Sequence, residues 1–406
     1  MAAKLKWPTK RLGELAEFRN GVNYNKSSFG VGIKVVGVSD FQDYTKPRYA
    51  ELEQINPDGI VTERNILHDG DIVFVRSNGN RELIGRSLFI EQPPEEVTHS
   101  AFSIRLRFTS REVHPKFYAY CFRTPLVRQG LTAQGGGTNI NNLNQDILNA
   151  LEVPLPPLPM QRRIADILSA YDELMENSQR RIEILEAMAR AIFREWFIYF
   201  RFPDHQKIKQ VDSPLGKIPN GWEAAPLSSL VDFAKGRKPA ETRADALPGD
   251  VKLLLIDSLH GGQPVFAAPA KLVLAESRDT IMVMDGASSC EVTIGASGAV
   301  GSTLGRFRTT RSKVFPPHAL YRFLEAKAEE FKSKNIGAAI PHANKDYILS
   351  QLIALPPEKI AARFNDQLEP IQSTIETLKA QIQNLRRTRD LLLPRLLSGQ
   401  INLAEN

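Results

Sequence analysis

FNDQLEPIQSTIETLKAQIQNL, residues 364–385, carries apolar side chains at Phe364, Leu368, Ile371, Ile375, Leu378, Ile382 and Leu385. The steps between them alternate four and three residues. That alternation predicts a coiled-coil seam, since an apolar residue every 3.5 positions or so keeps one stripe of a helix turned toward a partner. Leu392 and Leu396 resume the seam beyond Arg389, and the helix is expected to stop between Pro394 and Gly399. Pro370 lies inside the pattern, so the helix either kinks there or begins there. A similar stripe occurs upstream at Ile164, Ile167, Tyr171, Leu174, Ile182, Leu185, Met188, Ile192, Trp196 and Tyr199, with Ser178 as a polar break. Prolines at 154, 156, 157 and 159 hold the chain before it extended. At 1.5 Å per residue the first helix would be roughly 60 Å long and the unbroken part of the second roughly 40 Å.

The two helices are copies. Ile164, Leu168, Ile182, Leu185, Ile192, Phe193 and Phe197 recur 200 residues later as Phe364, Leu368, Ile382, Leu385, Leu392, Leu393 and Leu397. The same spacing relates Ile140, Asn144, Asp146 and Leu155-Pro156-Pro157 to Ile340, Asn344, Asp346 and Leu355-Pro356-Pro357. Nearer the start, Trp7, Leu12, Leu15, Phe18 and Gly21 recur 215 residues on as Trp222, Leu227, Leu230, Phe233 and Gly236, with Glu17 answered by Asp232. The middles share little beyond the strand-like runs Asp71 to Val75 and Thr280 to Met284. The duplicated unit is a globular domain followed by a long helix, with constant ends and a variable middle. Asn144, Asp146 and their copies suit helix capping, because identical residues in two differing domains cannot read different targets.

At 406 residues the chain has room for more than one core. A composition 42% hydrophobic and 24% charged excludes a mainly disordered chain. No apolar run reaches the roughly 20 residues of a membrane span, and the start lacks the apolar region of a secretion signal, so a cytoplasmic location is expected. Cys121 and Cys290 have no partner spacing and read as reduced packing residues. Trp7, Trp196 and Trp222 are likewise assigned to packing. A net charge of +6 suits a polyanionic partner without deciding for one.

The run PLPPLPMQRRIADILSAYDELMENSQRRIEILEAMARAIFREWF at 154–197 resembles the central conserved region of type I restriction-modification specificity subunits, and LKAQIQNLRRTRDLLLPRLLSGQINL at 378–403 resembles their C-terminal conserved region. The Trp-Leu-Leu-Phe-Gly starts are similar to the openings of that family's target-recognition domains. Two departures, Met160 before Gln161 and a second copy, LPPEKIAARF, without the usual Leu-x-x-Gln, fall at the helix starts. The resemblance implies that each domain reads half of a bipartite target on double-stranded DNA. The helices would set the gap and dock two modification (methyltransferase) subunits, which restriction subunits with helicase and nuclease activities then join. S-adenosylmethionine, ATP and Mg are expected in those partners and no cofactor in this chain.

Residue patterns for chemistry are lacking. The glycine-rich Gly295 to Thr303 fits neither phosphate-cradling motif and reads as a turn between strands. The seven histidines show no metal-ligand spacing, and no Asn/Asp-Pro-Pro-aromatic run suggests an amino-methyltransferase. The expectation is a non-catalytic DNA-recognition subunit.

Base reading needs arginine, lysine and amide side chains on loops and strand ends. In the first domain Arg76, Asn78, Asn80 and Arg81 after the first strand-like run, and Thr138, Asn139 and Asn141 in GGGTNINN, have that chemistry. In the second the candidates are Arg237, Lys238, Arg306, Arg308, Arg311, Lys313, Lys334, Asn335 and His342. The alternative for each is a solvated loop side chain.

The expected fold is α/β with α+β character: two target-recognition domains, 1–153 and 203–355, joined by two long antiparallel helices, 154–202 and 356–406, as an intramolecular coiled coil with pseudo-two-fold duplication. Pairing of the helices would place the domains at opposite ends of a rod, suited to two separated half-sites. The alternatives are a type IIB-like specificity subunit, or a coiled-coil adaptor that does not bind DNA.

Overall fold

The computed structural model describes residues 7–41, 45–77, 83–124, 127, 131, 142–259, 261–337, 341–401 and 403. It divides into two compact units, Met1–Glu176 with Ile382–Asn406, and Asn177–Gln381. The long helices, Leu158–Phe193 and Glu358–Leu397, each give one part to either unit.

In the first unit a four-stranded antiparallel sheet runs in the order Ala16–Asn20, Ser103–Phe108, Ile72–Val75, Ser87–Phe89. Alternation along each strand divides its side chains between two faces. Ile72, Phe74, Ile104 and Leu106 join a core with the helix Pro115–Cys121 and with Ile164, Leu168, Leu393 and Leu396 of the long helices. Val73, Val75 and Leu88 face Val36 and Val97 of a second sheet, ordered Gln54–Ile55, Phe29–Val36, Val97–His99. The result is three layers, helices on sheet on sheet.

The second unit repeats this. Its main sheet is ordered Val231–Lys235, Leu304–Thr309, Thr280–Val283, Val292–Thr293. Met282 and Phe307 face Ala189, Phe193, Phe364 and Leu368 of the long helices, while Ile281, Val283 and Leu304 face Leu254 and Val300 of a second sheet. Trp196 and Trp222 are buried in an aromatic cluster with Phe197, Phe202 and Phe364, and both cysteines are free and buried. The glycine-rich run is more than the turn expected of it. It contains the strand Gly298–Val300, parallel to Val251–Leu254, where a Cβ on Gly298 would overlap the Lys252 carbonyl oxygen.

Within each unit the helices run antiparallel. In the first, Arg389 Nη1 donates to Asp172 Oδ1 (2.6 Å), with Leu393 and Leu396 near Ile164 and Leu168. In the second, Lys379 lies 3.7 Å from Glu186 while Phe364 meets Phe193 and Phe197. The second helix does not begin at Pro370 but runs through it, and ends as expected at Leu397 before Gly399 at φ 74°. The first seam departs from its spacing. Leu174, Met188 and Tyr199 are 56%, 48% and 49% exposed, whereas Asp172 and Ala189 are buried. A carboxylate can hold a seam position once its partners are in place, and Asp172 accepts from Tyr120 Oη as well as Arg389.

Short two-stranded clasps close each domain and explain its constant ends. Thr9–Arg11 pairs with Glu152–Pro154, and Glu223–Pro226 with Leu352–Leu355. Asn144 and Asn344 cap the helices just before these strands, accepting from the Ile147 and Tyr347 N–H groups, each worth about 1 kcal/mol. The departure at the helix starts also has a structural meaning. Buried Gln161 donates to the Glu112 and Pro156 carbonyls and accepts from the His114 N–H; in the second copy Ala361 takes its place and lines a cleft of about 590 Å³.

Candidate nucleic-acid interface

At one end of the main sheet of the first unit, four backbone hydrogen bonds tie separate segments together. The Gly21 N–H donates to the Ser103 carbonyl (3.2 Å), Val22 to His99 (2.8 Å), Arg76 to Phe102 (2.8 Å) and Leu143 to Arg76 (2.8 Å). The second unit has the same four, from Gly236 to Leu304 (2.9 Å), Arg237 to Val300 (3.1 Å), Met284 to Thr303 (2.8 Å) and Ala343 to Met284 (2.8 Å). Gly21 and Gly236 are required here, because a Cβ would overlap the carbonyl oxygens of His99 and Ser100, or of Val300 and Gly301. A constant backbone frame thus carries different side chains.

On the first frame stand Asn20, Arg76, Ser77, Phe102 and Gln145, with Gln145 Nε2 donating to Asn20 Oδ1 (3.3 Å). Their counterparts on the second are Lys235, Met284, Asp285, Thr303 and Lys345, with His342 alongside. Lys235 Nζ lies 3.0 Å from Asp285, whose Oδ1 is 2.8 Å from His342 Nδ1. Burial alone would raise the Asp285 carboxyl, but hydrogen bonds from His342 and Lys235 outweigh it and hold the group below its ordinary value. Lys345 Nζ sits 5.3 Å above the Phe233 ring. The first frame carries an amide pair with Arg76 as the charged residue among the five; the second carries Lys235, Asp285 and Lys345 at the matching places.

The residues expected from sequence divide by place. Arg76 is on the first frame, half-buried; Asn78, Asn80, Arg81, Thr138, Asn139 and Asn141 lie outside the described residues. His342 is on the second frame, and Arg237 and Lys238 follow directly from Gly236, both exposed. Lys334 is exposed beside Asn335, whose side chain is spent on Ser289 Oγ (2.6 Å) and Cys290 Sγ (3.4 Å) and braces the neighbouring loop.

Four candidates belong elsewhere. Arg306 and Arg308 lie along the strand that leads away from the frame. Arg306 is ion-paired to Asp232 and donates to the Leu274 carbonyl, and Arg308 grips Asp279 through both carboxylate oxygens at 2.7 and 2.6 Å. The first unit holds the same two pairs, Arg105 with Glu17 and Arg107 with Asp71. In both domains these guanidiniums are held by carboxylates of their own sheet end, in matching pairs. Arg311, 3.5 Å from Glu223, and Lys313, in the cleft with Arg278 and Lys359, lie beyond the far end of that strand.

The sequence reading passed over Asn20, Phe102, Gln145, Lys235, Thr303 and Lys345. A signal for some was present, since Asn20 and Lys235 precede the duplicated glycines, and Gln145 and Lys345 sit between the duplicated Asn and Asp, each differing between copies.

Under the first frame, His99 Nδ1 is 2.9 Å from Ser103 Oγ. Burial, then the charge of Arg105, pushes the imidazole down from 6.5 to about 3. An unfolded chain binds a proton in that interval and the folded one does not, so this contribution to stability is complete above about pH 6.5 and is lost as pH falls toward 3. Hydrogen-exchange protection of Val97–His99 and Ser103–Phe108, corrected for intrinsic exchange, is expected to fall by up to about 1.4 kcal/mol per pH unit below that point. His99→Leu should flatten the slope; a flat wild-type profile would contradict the neutral buried ring.

Among the described residues no group of three or more His, Cys, Asp or Glu side chains could hold a metal, and no helix is long and apolar enough to cross a membrane.

A profile of the type I restriction modification DNA specificity domain matches residues 4–187 and again 219–387. The type I restriction enzyme MjaIX specificity subunit of Methanocaldococcus jannaschii is 24% identical over 301 residues, covering 71% of this chain and 70% of the relative. The MjaVIII specificity subunit of the same organism is 22% identical over 424 residues, covering 98% and 93%. The S subunit of a type I restriction-modification system from M. genitalium superposes with a TM-score of 0.59 at 14% identity, covering 97% of this chain and 96% of that one, a likeness of fold.

Proposed function

The chain belongs to the type I restriction modification DNA specificity domain family, with the domain present twice, and from that premise we propose that each unit reads one half of a bipartite, asymmetric DNA sequence. The observation that carries this reading is the duplicated frame: the same four backbone hydrogen bonds in both units, bearing Asn20, Phe102 and Gln145 in one and Lys235, Thr303 and Lys345 in the other. Identical backbones give both domains one way of meeting a duplex, and differing side chains give them different sequences. Affinity would come largely from phosphate neutralisation, with about 1 to 3 kcal/mol of discrimination per well-read base pair.

The chain itself is a non-catalytic subunit in this reading. Its helices dock two modification subunits, which use S-adenosylmethionine, and restriction subunits that use ATP and Mg join them in the cytoplasm. The test is methylation mapping by long-read sequencing in cells that express the chain with the modification subunit encoded beside it. A bipartite motif that needs this chain, and that changes in one half when one domain is exchanged, is the expected result. No motif, from a modification subunit shown to be active with another specificity chain, would oppose it, as would duplex binding that does not weaken with salt.

A further inference from the structure

Phe102 is a large apolar side chain left 61% exposed, and it stands on the first frame. Its carbonyl accepts from Arg76 and Ser77, and the next residue, Ser103, accepts from Gly21. Gly21 follows Asn20, which is hydrogen-bonded to Gln145, and Leu143 closes the circuit back to Arg76. Phe102, Asn20 and Gln145 therefore belong to one ring of contacts, with no stretch of chain longer than two residues between successive links. Among the described residues, the Asn20 amide nitrogen and the Gln145 side-chain oxygen have no other partner. The bonded amide pair thus keeps one donor and one acceptor to offer.

The major-groove edge of adenine presents the complement, an acceptor at N7 and a donor at N6, and its thymine partner adds a methyl group, the one apolar feature of that groove. Resting on the proposed DNA reading, we infer that Asn20 and Gln145 together read an adenine in the half-site of the first domain, and that Phe102 covers the 5-methyl of a thymine in the same stretch. The second frame cannot do this. It has Lys235, Lys345 and Thr303 at the three places, so neither the amide pair nor the aromatic ring is present.

The test uses the full complex with modification subunits and duplexes carrying its mapped motif. Within the first domain's half-site, each thymine is replaced in turn by uracil, and each adenine by 7-deazaadenine. At one thymine and one adenine the wild type should lose about tenfold in affinity. Phe102→Thr should erase the uracil penalty, Asn20→Leu, which removes the donor facing N7, the 7-deaza penalty, and neither should alter discrimination in the other half-site. Penalties that persist unchanged in the variants, or a half-site insensitive to both analogues, would overturn the assignment while leaving the bipartite reading intact. A wild-type complex with no bipartite motif would remove both.

Discussion

Gly236→Ala is expected to strip sequence discrimination from the second half-site while the first is read as before. The methyl group would overlap the carbonyl oxygens of Val300 and Gly301, which are backbone atoms and cannot swing aside as a side-chain tip can. Either the strand Val231–Lys235 shifts, or the loop before Leu304–Thr309 does, and each movement breaks the Gly236 hydrogen bond and displaces Lys235. Overpacking of this kind costs about 3 kcal/mol, a serious loss that a unit of this size can survive folded. Methylation mapping would show a motif degenerate in one half, and Gly21→Ala, where the obstacles are the His99 and Ser100 carbonyls, would give the mirror image. A folded Gly236→Ala protein that still writes the parental motif would show that the frame does not position the reading groups.

Asp172→Ala should detach the end of the second helix from the first unit. Asp172 accepts from Tyr120 Oη (2.8 Å) and Arg389 Nη1 (2.6 Å), and Arg123 Nη1 lies 3.6 Å away. Burial, only partly offset by Asp172, lowers the Arg123 guanidinium from its ordinary value, so removing the carboxylate takes away its counter-charge and leaves the largely buried Arg389 with exposed Asp390 alone. Breaking a buried pair from one side costs about 3 to 5 kcal/mol. Hydrogen exchange over 382–397 should rise and trypsin should cleave early near Arg386 to Arg389, with Asp172→Asn intermediate because an acceptor remains. An unchanged exchange pattern would mean that the apolar contacts of Leu393 and Leu396 hold this segment alone.

The duplication was legible because it rests on local rules. Alternating steps of four and three predict a seam whatever the partner, and Asn144 and Asn344 cap helices by contacts within three residues. Two features were not legible because distant groups decide them. Leu174, Met188 and Tyr199 have the spacing of seam residues, yet Asp172 and Ala189 fill the interior in place of a strict apolar repeat. Arg306 and Arg308 have the chemistry of base readers, yet Asp232 and Asp279, up to 74 residues away, claim them. Of the two outcomes open at Pro370, a kink or a start, the structure excludes the start: the helix passes through it, its following turn stapled by Thr374 Oγ1 on the Pro370 carbonyl (2.7 Å).

The sequence by itself determined that there are two copies of one domain and helix, where each begins, and which family they resemble, since periodicity, capping and internal repetition are properties of neighbouring residues. Which side chains stand together on each frame was decided only by the tertiary structure. The frames are made of hydrogen bonds between segments 19 to 82 residues apart, and the identity of a residue in one segment does not reveal which residue of another its backbone will face until the sheet has formed.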